Sequence, residues 1–131
     1  MSDTWPEYSD RVVDHFRNPR NVGDMENPDG MGRVQNDACG DITELYIRVS
    51  DNVITEARFR TLGCAAAIAA SSMLTEMVRD KSIEQAQAID NDAIMQALDG
   101  FPLAKVHCSL LATEALHLAI DDYLEGRSAR A

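Results

Sequence analysis

Two short alternating segments joined by a tight turn constrain the fold of this chain more than any other feature. Residues 43–49 (TELYIRV) and 53–61 (VITEARFRT) alternate apolar and polar side chains, which is typical of strands with one buried face. Ser50, Asp51 and Asn52 lie between them and favour a turn. Because this connection is too short for a crossover helix, the segments predict an antiparallel hairpin. Its polar face should meet water.

Helical spacing dominates the rest of the chain. Apolar spacing after the hairpin predicts helices at residues 65–79, 82–88, 90–98 and 109–125. Gly126 is expected to end the last helix. Another amphipathic helix begins near Tyr8, and a short strand at residues 32–35 is expected to join the hairpin. The sequence therefore predicts an α+β fold, in which helices pack on one face of a small antiparallel three-stranded sheet.

Composition bounds the class of protein. The 131 residues, of which 45% are hydrophobic and 26% charged, predict a single domain over residues 1–131, with loose termini at 1–7 and 127–131. A net charge of −10 argues against binding to nucleic acid or to an anionic membrane. Three cysteines cannot all pair within one chain, and the sequence shows neither a signal peptide nor a long apolar run. We therefore expect a cytoplasmic protein with reduced thiols.

The three cysteines each lie where a loop meets a predicted element. Cys39 precedes the first strand of the hairpin, whereas Cys64 and Cys108 stand at the starts of two helices. The positive end of a helix favours the thiolate, which is the form that binds metal. Asp41 adds a carboxylate beside the first cysteine, and His107 adds an imidazole beside the last. Together these five donors suit zinc or an iron–sulfur cluster.

Two other interpretations remain open from residue chemistry alone. A cysteine taken singly is more often a small buried hydrophobe, which would leave a purely structural domain. A hydrolase that uses Cys108 as nucleophile is disfavoured, because its neighbour His107 is poorly placed to act as its base and no oxyanion motif is evident. The other histidines, His15 and His117, are expected to be solvated on the polar faces of their helices.

Several segments resemble the IscU/NifU-type iron–sulfur cluster assembly scaffolds. The matching segments in chain order are YSDRVVDHF (8–16), NPRNVG (18–23), ACGD (38–41), TLGC (61–64) and KVHCS (105–109). The resemblance covers residues 8–123, and its three ordered cysteine motifs make it specific. It implies a scaffold rather than an enzyme.

The resemblance implies that the protein builds a [2Fe–2S] cluster and passes it to apo iron–sulfur proteins. A cysteine desulfurase would supply the sulfur as a persulfide. The implied ligands are Cys39, Cys64 and Cys108, with either Asp41 or His107 as the fourth. A carboxylate or imidazole is a harder ligand than thiolate, which would ease release of the cluster.

The last cysteine motif carries two further expectations. We expect Cys108 to accept the sulfur, because Lys105 and the helix N-terminus should stabilise its thiolate. The family's Leu-Pro-Pro-Val-Lys segment, which an Hsp70 chaperone grips, reads FPLAK at residues 101–105 and keeps a single proline. This departure argues against dedicated Hsp70-driven delivery. A frataxin-like regulator and a homodimer that shares one cluster are further candidate partners.

The main alternative is a SufU-like zinc protein that accepts sulfur from a desulfurase without building a cluster. Cys39, Asp41, Cys64 and Cys108 would then close a tetrahedral zinc site. The chain lacks the insertion between the second and third cysteines that such proteins carry. It also keeps His107, which they usually lack, so the scaffold interpretation is favoured.

Overall fold

The computed structural model describes residues 8–36, 40–100 and 106–130, with side chains at 8–36, 40–100 and 109–126. In chain order the elements are α1 (Asp10–Arg17), β1 (Gly30–Gln35), β2 (Ile42–Ser50), β3 (Val53–Leu62), α2 (Ala65–Val78), α3 (Ile83–Gln87), α4 (Asn91–Ala97) and α5 (Val106–Arg130). The strands form one antiparallel sheet in the order β1-β2-β3. Helices α2 and α5 pack on one face of this sheet, which confirms the predicted α+β architecture.

Strands β2 and β3 form the predicted hairpin. The two turn residues have positive φ angles, 51° at Asp51 and 65° at Asn52. Positive φ at both central residues defines a type I′ turn, whose twist suits an antiparallel pair. At the other end of the hairpin, Ile42 pairs with Leu62. The register therefore brings the start of β2 beside the end of β3.

The two faces of the sheet differ in the way that the alternation predicts. The inner face, covered by α2 and α5, carries the fully buried side chains Leu45, Ile47, Ala57 and Phe59. The outer face carries ion pairs, including Arg48 with Glu56 at 3.7 Å and Arg58 with Glu56 at 2.7 Å. These pairs are partly exposed, so they contribute little to stability. Burial of the inner face stabilises the sheet.

Strand β1 begins two residues earlier than the sequence predicts. Gly30 and Gly32 lie directly beneath α5, and a Cβ atom at Gly32 would lie 2.1 Å from the carbonyl oxygen of Ala115. A Cβ atom at Gly30 would lie 2.2 Å from the carbonyl oxygen of Ala119. The two glycines therefore let α5 approach the strand at backbone distance. The pattern Gly-Met-Gly does not by itself predict a strand. Its glycines are required by the contact with α5, which lies far along the chain.

Helix α5 does not end at Gly126, which corrects the prediction from sequence. The helical backbone continues to Arg130, through residues expected to be a loose terminus. Glycine costs about 1 kcal/mol in a helix interior relative to alanine, yet it keeps its N–H and so does not interrupt the hydrogen-bond ladder. A single glycine is therefore a weaker stop signal than a proline.

His15 is buried, which corrects the expectation of a solvated histidine. Its side chain on α1 faces α2, with Nδ1 2.8 Å from the Ser72 hydroxyl and Nε2 3.8 Å from a carboxylate oxygen of Glu76. The Ser72 hydroxyl also accepts the backbone N–H of Arg20 at 2.9 Å. These bonds attach α1 and the segment after it to α2. His117 is exposed, as expected.

Candidate metal centre

Asp41 and Cys64 lie at the same end of the sheet. Asp41 immediately precedes β2, and its side chain is buried, with 7% of its surface exposed. Cys64 follows β3 by two residues and is the N-cap of α2. Because Ile42 pairs with Leu62, the ladder sets the spacing between these two chain ends. The donors that the sequence places apart by 23 positions are thus brought to one edge.

Gly63 is the point of contact between the two donors' segments. A Cβ atom built on Gly63 would lie 2.7 Å from Cγ of Asp41 and within 3.0 Å of both its carboxylate oxygens. The carboxylate therefore lies against the backbone that leads into Cys64. Sequence reasoning did not single out Gly63, and its only local signal is its place before the cysteine.

Cys64 lies at the positive end of a helix. Its backbone is extended, with φ −79° and ψ 172°, and its carbonyl oxygen accepts the first helical N–H, from Ile68, at 3.1 Å. The first turn of α2 carries no acidic side chain that would offset the helix dipole. The Cys64 side chain is partly buried and packs against Ala66 and Ala67. The Cys64 sulfur therefore stands at the N-terminus of α2 and remains partly accessible.

A polar layer separates this edge from the hydrophobic core. The Thr61 hydroxyl donates to the hydroxyl of Thr43 at 3.2 Å and lies 3.4 Å from the hydroxyl of Ser71 on α2. Thr43 and Ser71 are fully buried. On the inner face of the sheet, the pair next to Asp41, Thr43 and Thr61, is therefore polar, and the following inner-face pair is apolar. Such hydrogen bonds keep a buried polar edge satisfied next to a packed core.

The connection from β1 to β2 closes above the same edge. The backbone N–H of Asn36 donates to the carbonyl of Asp41 at 2.8 Å, and the N–H of Gly40 donates to the carbonyl of Asn36 at 2.7 Å. Gly40 has φ 77°, a left-handed conformation that glycine adopts at little cost. Cys39 belongs to this connection by sequence and lies outside the described residues.

The other predicted site residues fall at or before the start of α5. Lys105 lies outside the described residues. His107 and Cys108 belong to the first turn of α5, but their side chains are outside the described part. The next residue, Ser109, is buried and its hydroxyl donates to the side-chain oxygen of Asn91, at the start of α4. Among the side chains that are described, no group of three His, Cys, Asp or Glu could hold a metal ion.

A shallow groove lies on the outer face of the sheet, beside the same edge. Its volume is about 360 Å³, and its lining residues are Arg33, Ile42, Glu44, Arg60, Thr61 and Leu62. Tyr46 donates its hydroxyl to one of these residues, Glu44, at 2.8 Å. Burial, followed by the contact with Glu44, raises the pKa of Tyr46. The groove opens on the face opposite Asp41, so it is separate from the candidate metal centre.

None of the helices within residues 8–36, 40–100 and 106–130 is both long and apolar enough to cross a bilayer.

Comparison with known proteins defines the class to which this fold and edge belong. The family model of the NifU-like N-terminal domain matches residues 7–130. The chain is 57% identical to iron–sulfur cluster assembly scaffold protein IscU 1 of Archaeoglobus fulgidus, over 88% of this chain and 76% of that protein. It is 49% identical to IscU of Escherichia coli K12, over 94% of this chain and 98% of that protein. The chain belongs to the NifU-like N-terminal domain family, as an IscU/NifU-type member.

A solved structure shares the fold. The crystal structure of a putative iron–sulfur cluster assembly scaffold protein for the SUF system, from Fervidobacterium islandicum, superimposes with a TM-score of 0.75. The comparison covers 89% of this chain and 98% of the other, at 22% identity. At this identity the likeness supports the fold and does not favour the zinc alternative.

Proposed function

We propose that this chain is a scaffold on which a [2Fe–2S] cluster is assembled from iron and desulfurase-derived sulfur, and from which it is transferred to apo-proteins. Family membership and the IscU relatives make it an iron–sulfur cluster assembly scaffold rather than an enzyme. The observation that carries the proposal is the buried Asp41 carboxylate, which lies against the segment leading into Cys64 at one edge of the sheet. The proposed unit is the whole chain, 1–131, as one domain.

The proposed ligands of the cluster are Cys39, Cys64 and Cys108, with Asp41 or His107 as the fourth. Thiolates suit iron in such clusters, and a single harder ligand lowers the cost of releasing the cluster. The structure supports the proximity of two members of this set, Asp41 and Cys64. The other members complete the set by sequence and by resemblance.

We assign sulfur acceptance to Cys108, with Lys105 and the N-terminus of α5 stabilising its thiolate. Sulfur arrives as a persulfide on the donor cysteine, and the Cys108 thiolate attacks its outer sulfur. The new S–S bond on Cys108 forms as the donor's S–S bond breaks, and the donor leaves as a thiolate. If Cys108→Ser took up persulfide at the wild-type rate, this assignment would be wrong.

The proposal implies at least two partners, a sulfur donor and an apo-protein recipient. We propose a cysteine desulfurase as the donor and apo iron–sulfur proteins as recipients, with a frataxin-like regulator as a third candidate. A cluster shared by two copies of the chain would supply ligands that three thiols cannot. Reduced thiols are stable in a reducing compartment, and we propose the cytoplasm as that compartment.

Anaerobic reconstitution tests the proposed function. The purified chain is incubated with ferrous iron, a cysteine desulfurase and excess cysteine. The cysteine supplies the sulfur and also, as a thiol, electrons that reduce persulfide sulfur to sulfide. Absorption and Mössbauer spectra are then recorded. We expect the visible bands and two-iron stoichiometry of a [2Fe–2S] cluster, which is then lost to an apo-ferredoxin. A colourless product that retains one zinc ion would overturn the proposal in favour of a zinc sulfur acceptor.

Two variants and a matched control test the ligand assignment in the same experiment. Cys64→Ser should reduce the yield of cluster strongly, because a hydroxyl is a poor ligand for this iron. Asp41→Ala should change the rate at which the cluster is lost. Asp121→Ala removes an exposed carboxylate inside α5, away from this edge, and should behave as wild type.

A further inference from the structure

The backbone conformation of residue 63 does not explain why this residue is a glycine. Three glycines of the described chain, Gly23, Gly40 and Gly100, have positive φ, where glycine is favoured. Gly63 is not among them, so an alanine could adopt its backbone conformation. What a side chain at Gly63 would meet is the carboxylate of Asp41, at 2.7 Å to Cγ. Space for that carboxylate is therefore the physical requirement at this position.

The backbone on both sides of Gly63 is fixed. Leu62 is the last residue of β3 and pairs with Ile42, and Cys64 is the N-cap of α2. The junction therefore cannot shift to make room for a new methyl group. The atoms in the way are Cγ and the two carboxylate oxygens of Asp41, and a rotation of that side chain would clear them without moving the backbone. A side chain at position 63 would thus displace the carboxylate and leave the fold in place.

We propose that Gly63 is a positioning residue, which holds the Asp41 carboxylate beside the segment leading into Cys64. The inference rests on the proposed function and deepens it, because it states how the carboxylate is kept within reach of a metal bound at Cys64. Gly63 touches no metal itself. It acts through Asp41, because the absence of a side chain at Gly63 leaves room for the carboxylate.

The contrast with Gly32 separates positioning from packing. A Cβ atom at Gly32 meets backbone, the carbonyl oxygen of Ala115 at 2.1 Å, and backbone of a packed helix cannot rotate away. Substitution at Gly32 should therefore cost stability. Substitution at Gly63 should cost placement of one carboxylate, with a smaller effect on the folded state.

A double-mutant cycle on Gly63→Ala and Asp41→Ala tests the proposal. The probe is Zn²⁺ alone, titrated into the reduced full-length chain in competition with a chelator, with Co²⁺ absorption as a second signature. Disturbing a group that orients a metal ligand commonly weakens affinity about 10- to 100-fold. We expect Gly63→Ala and Asp41→Ala each to weaken Zn²⁺ binding to that extent. In the Asp41→Ala background, Gly63→Ala should have no further effect, because no carboxylate remains to be displaced.

The same cycle gives a stability readout that does not depend on metal. Gly63→Ala is compared for melting temperature with the double variant. If Gly63→Ala lowers the melting temperature, the double variant should melt close to the Asp41→Ala single variant. Leu62→Ala is the neighbouring control, since Leu62 is 71% exposed and faces away from Asp41. It should leave both readouts at the wild-type value.

Three results would overturn the inference. They are wild-type Zn²⁺ affinity in Gly63→Ala, wild-type affinity in Asp41→Ala, and an effect of Gly63→Ala that persists undiminished when Asp41 is absent. Failure of the proposed function looks different, because the wild-type chain would then assemble no cluster from iron, cysteine and a desulfurase. A wild-type chain that assembles a cluster while Gly63→Ala binds Zn²⁺ normally would remove the role of Gly63 and leave the scaffold function standing.

Discussion

The imidazole of His15 and the hydroxyl of Ser72 form a buried hydrogen bond of 2.8 Å between α1 and α2. The two residues are 57 positions apart, and the same hydroxyl accepts the backbone N–H of Arg20. One serine on α2 therefore binds both the first helix and the segment that follows it. This polar contact adds to the burial of Val12 in the core, which also holds the N-terminal region.

Stability should fall as the pH is lowered below neutrality. Burial, and then the nearby Arg20 guanidinium, lowers the pKa of His15. Arg11 acts in the same direction, whereas Glu76 and Asp14 oppose it. As the pH falls, the unfolded chain, whose histidine pKa is about 6.5, therefore binds a proton at a higher pH than the folded chain does. Stability from this group is present above that pH, and it is lost progressively below it, by at most about 1.4 kcal/mol per pH unit.

Denaturant unfolding of wild type and His15→Asn between pH 7.5 and 5.5 measures this effect. The variant should be less stable at pH 7.5 and lose less stability on acidification. His117→Asn, at an exposed position, should keep the wild-type dependence. Equal slopes for wild type and His15→Asn would assign the pH dependence to other groups.

Ser72→Ala should destabilise the protein by about 1–3 kcal/mol, because it leaves the partly buried N–H of Arg20 and the buried imidazole of His15 without their shared partner. Ser50→Ala, at an exposed position at the end of β2, is the matched control and should change the unfolding free energy by less than about 0.5 kcal/mol. Similar losses in the two variants would show that the contact is weak.

Gly32→Ala should destabilise the protein by about 1–3 kcal/mol, because the new methyl group meets the backbone of α5. Met31→Ala tests the adjacent position, whose side chain is on the outer face of the same strand. Thermal melts of both variants measure the difference. An unchanged melting temperature in Gly32→Ala would contradict the close approach of α5 to β1.

Gly126→Ala should stabilise the protein by about 1 kcal/mol and raise its helix content, because Gly126 lies inside α5. If Gly126 instead capped the helix with positive φ, alanine would destabilise it. Circular dichroism and thermal melts therefore separate the two placements by the sign of the change.

Local patterns were sufficient to predict most of the elements. The alternation in β2 and β3 predicts both strands and their pairing, and the apolar spacing at residues 82–88 predicts α3. The start of β1 and the burial of His15 could not be predicted this way. Both depend on partners far along the chain, which neither periodicity nor propensity records.

The candidate site, like the fold, was predictable in its local features and not in its long-range contacts. The sequence places Asp41 and Cys64 at the ends of elements, where the structure has them. Their approach across Gly63 depends on which residue of β2 pairs with which residue of β3. A shift of the register by one position would have turned Asp41 to the outer face.

The short passage from β3 to α2 has a consequence for how a cargo could leave this edge. Only Gly63 and Cys64 lie between the last residue of the strand and the first residue of the helix. Moving Cys64 away from Asp41 would require breaking the terminal pair of the hairpin or unwinding the first turn of α2. Amide hydrogen exchange at Ile42 and Leu62 should therefore stay equally slow with and without cargo. This edge therefore acts as a stationary wall of the candidate site.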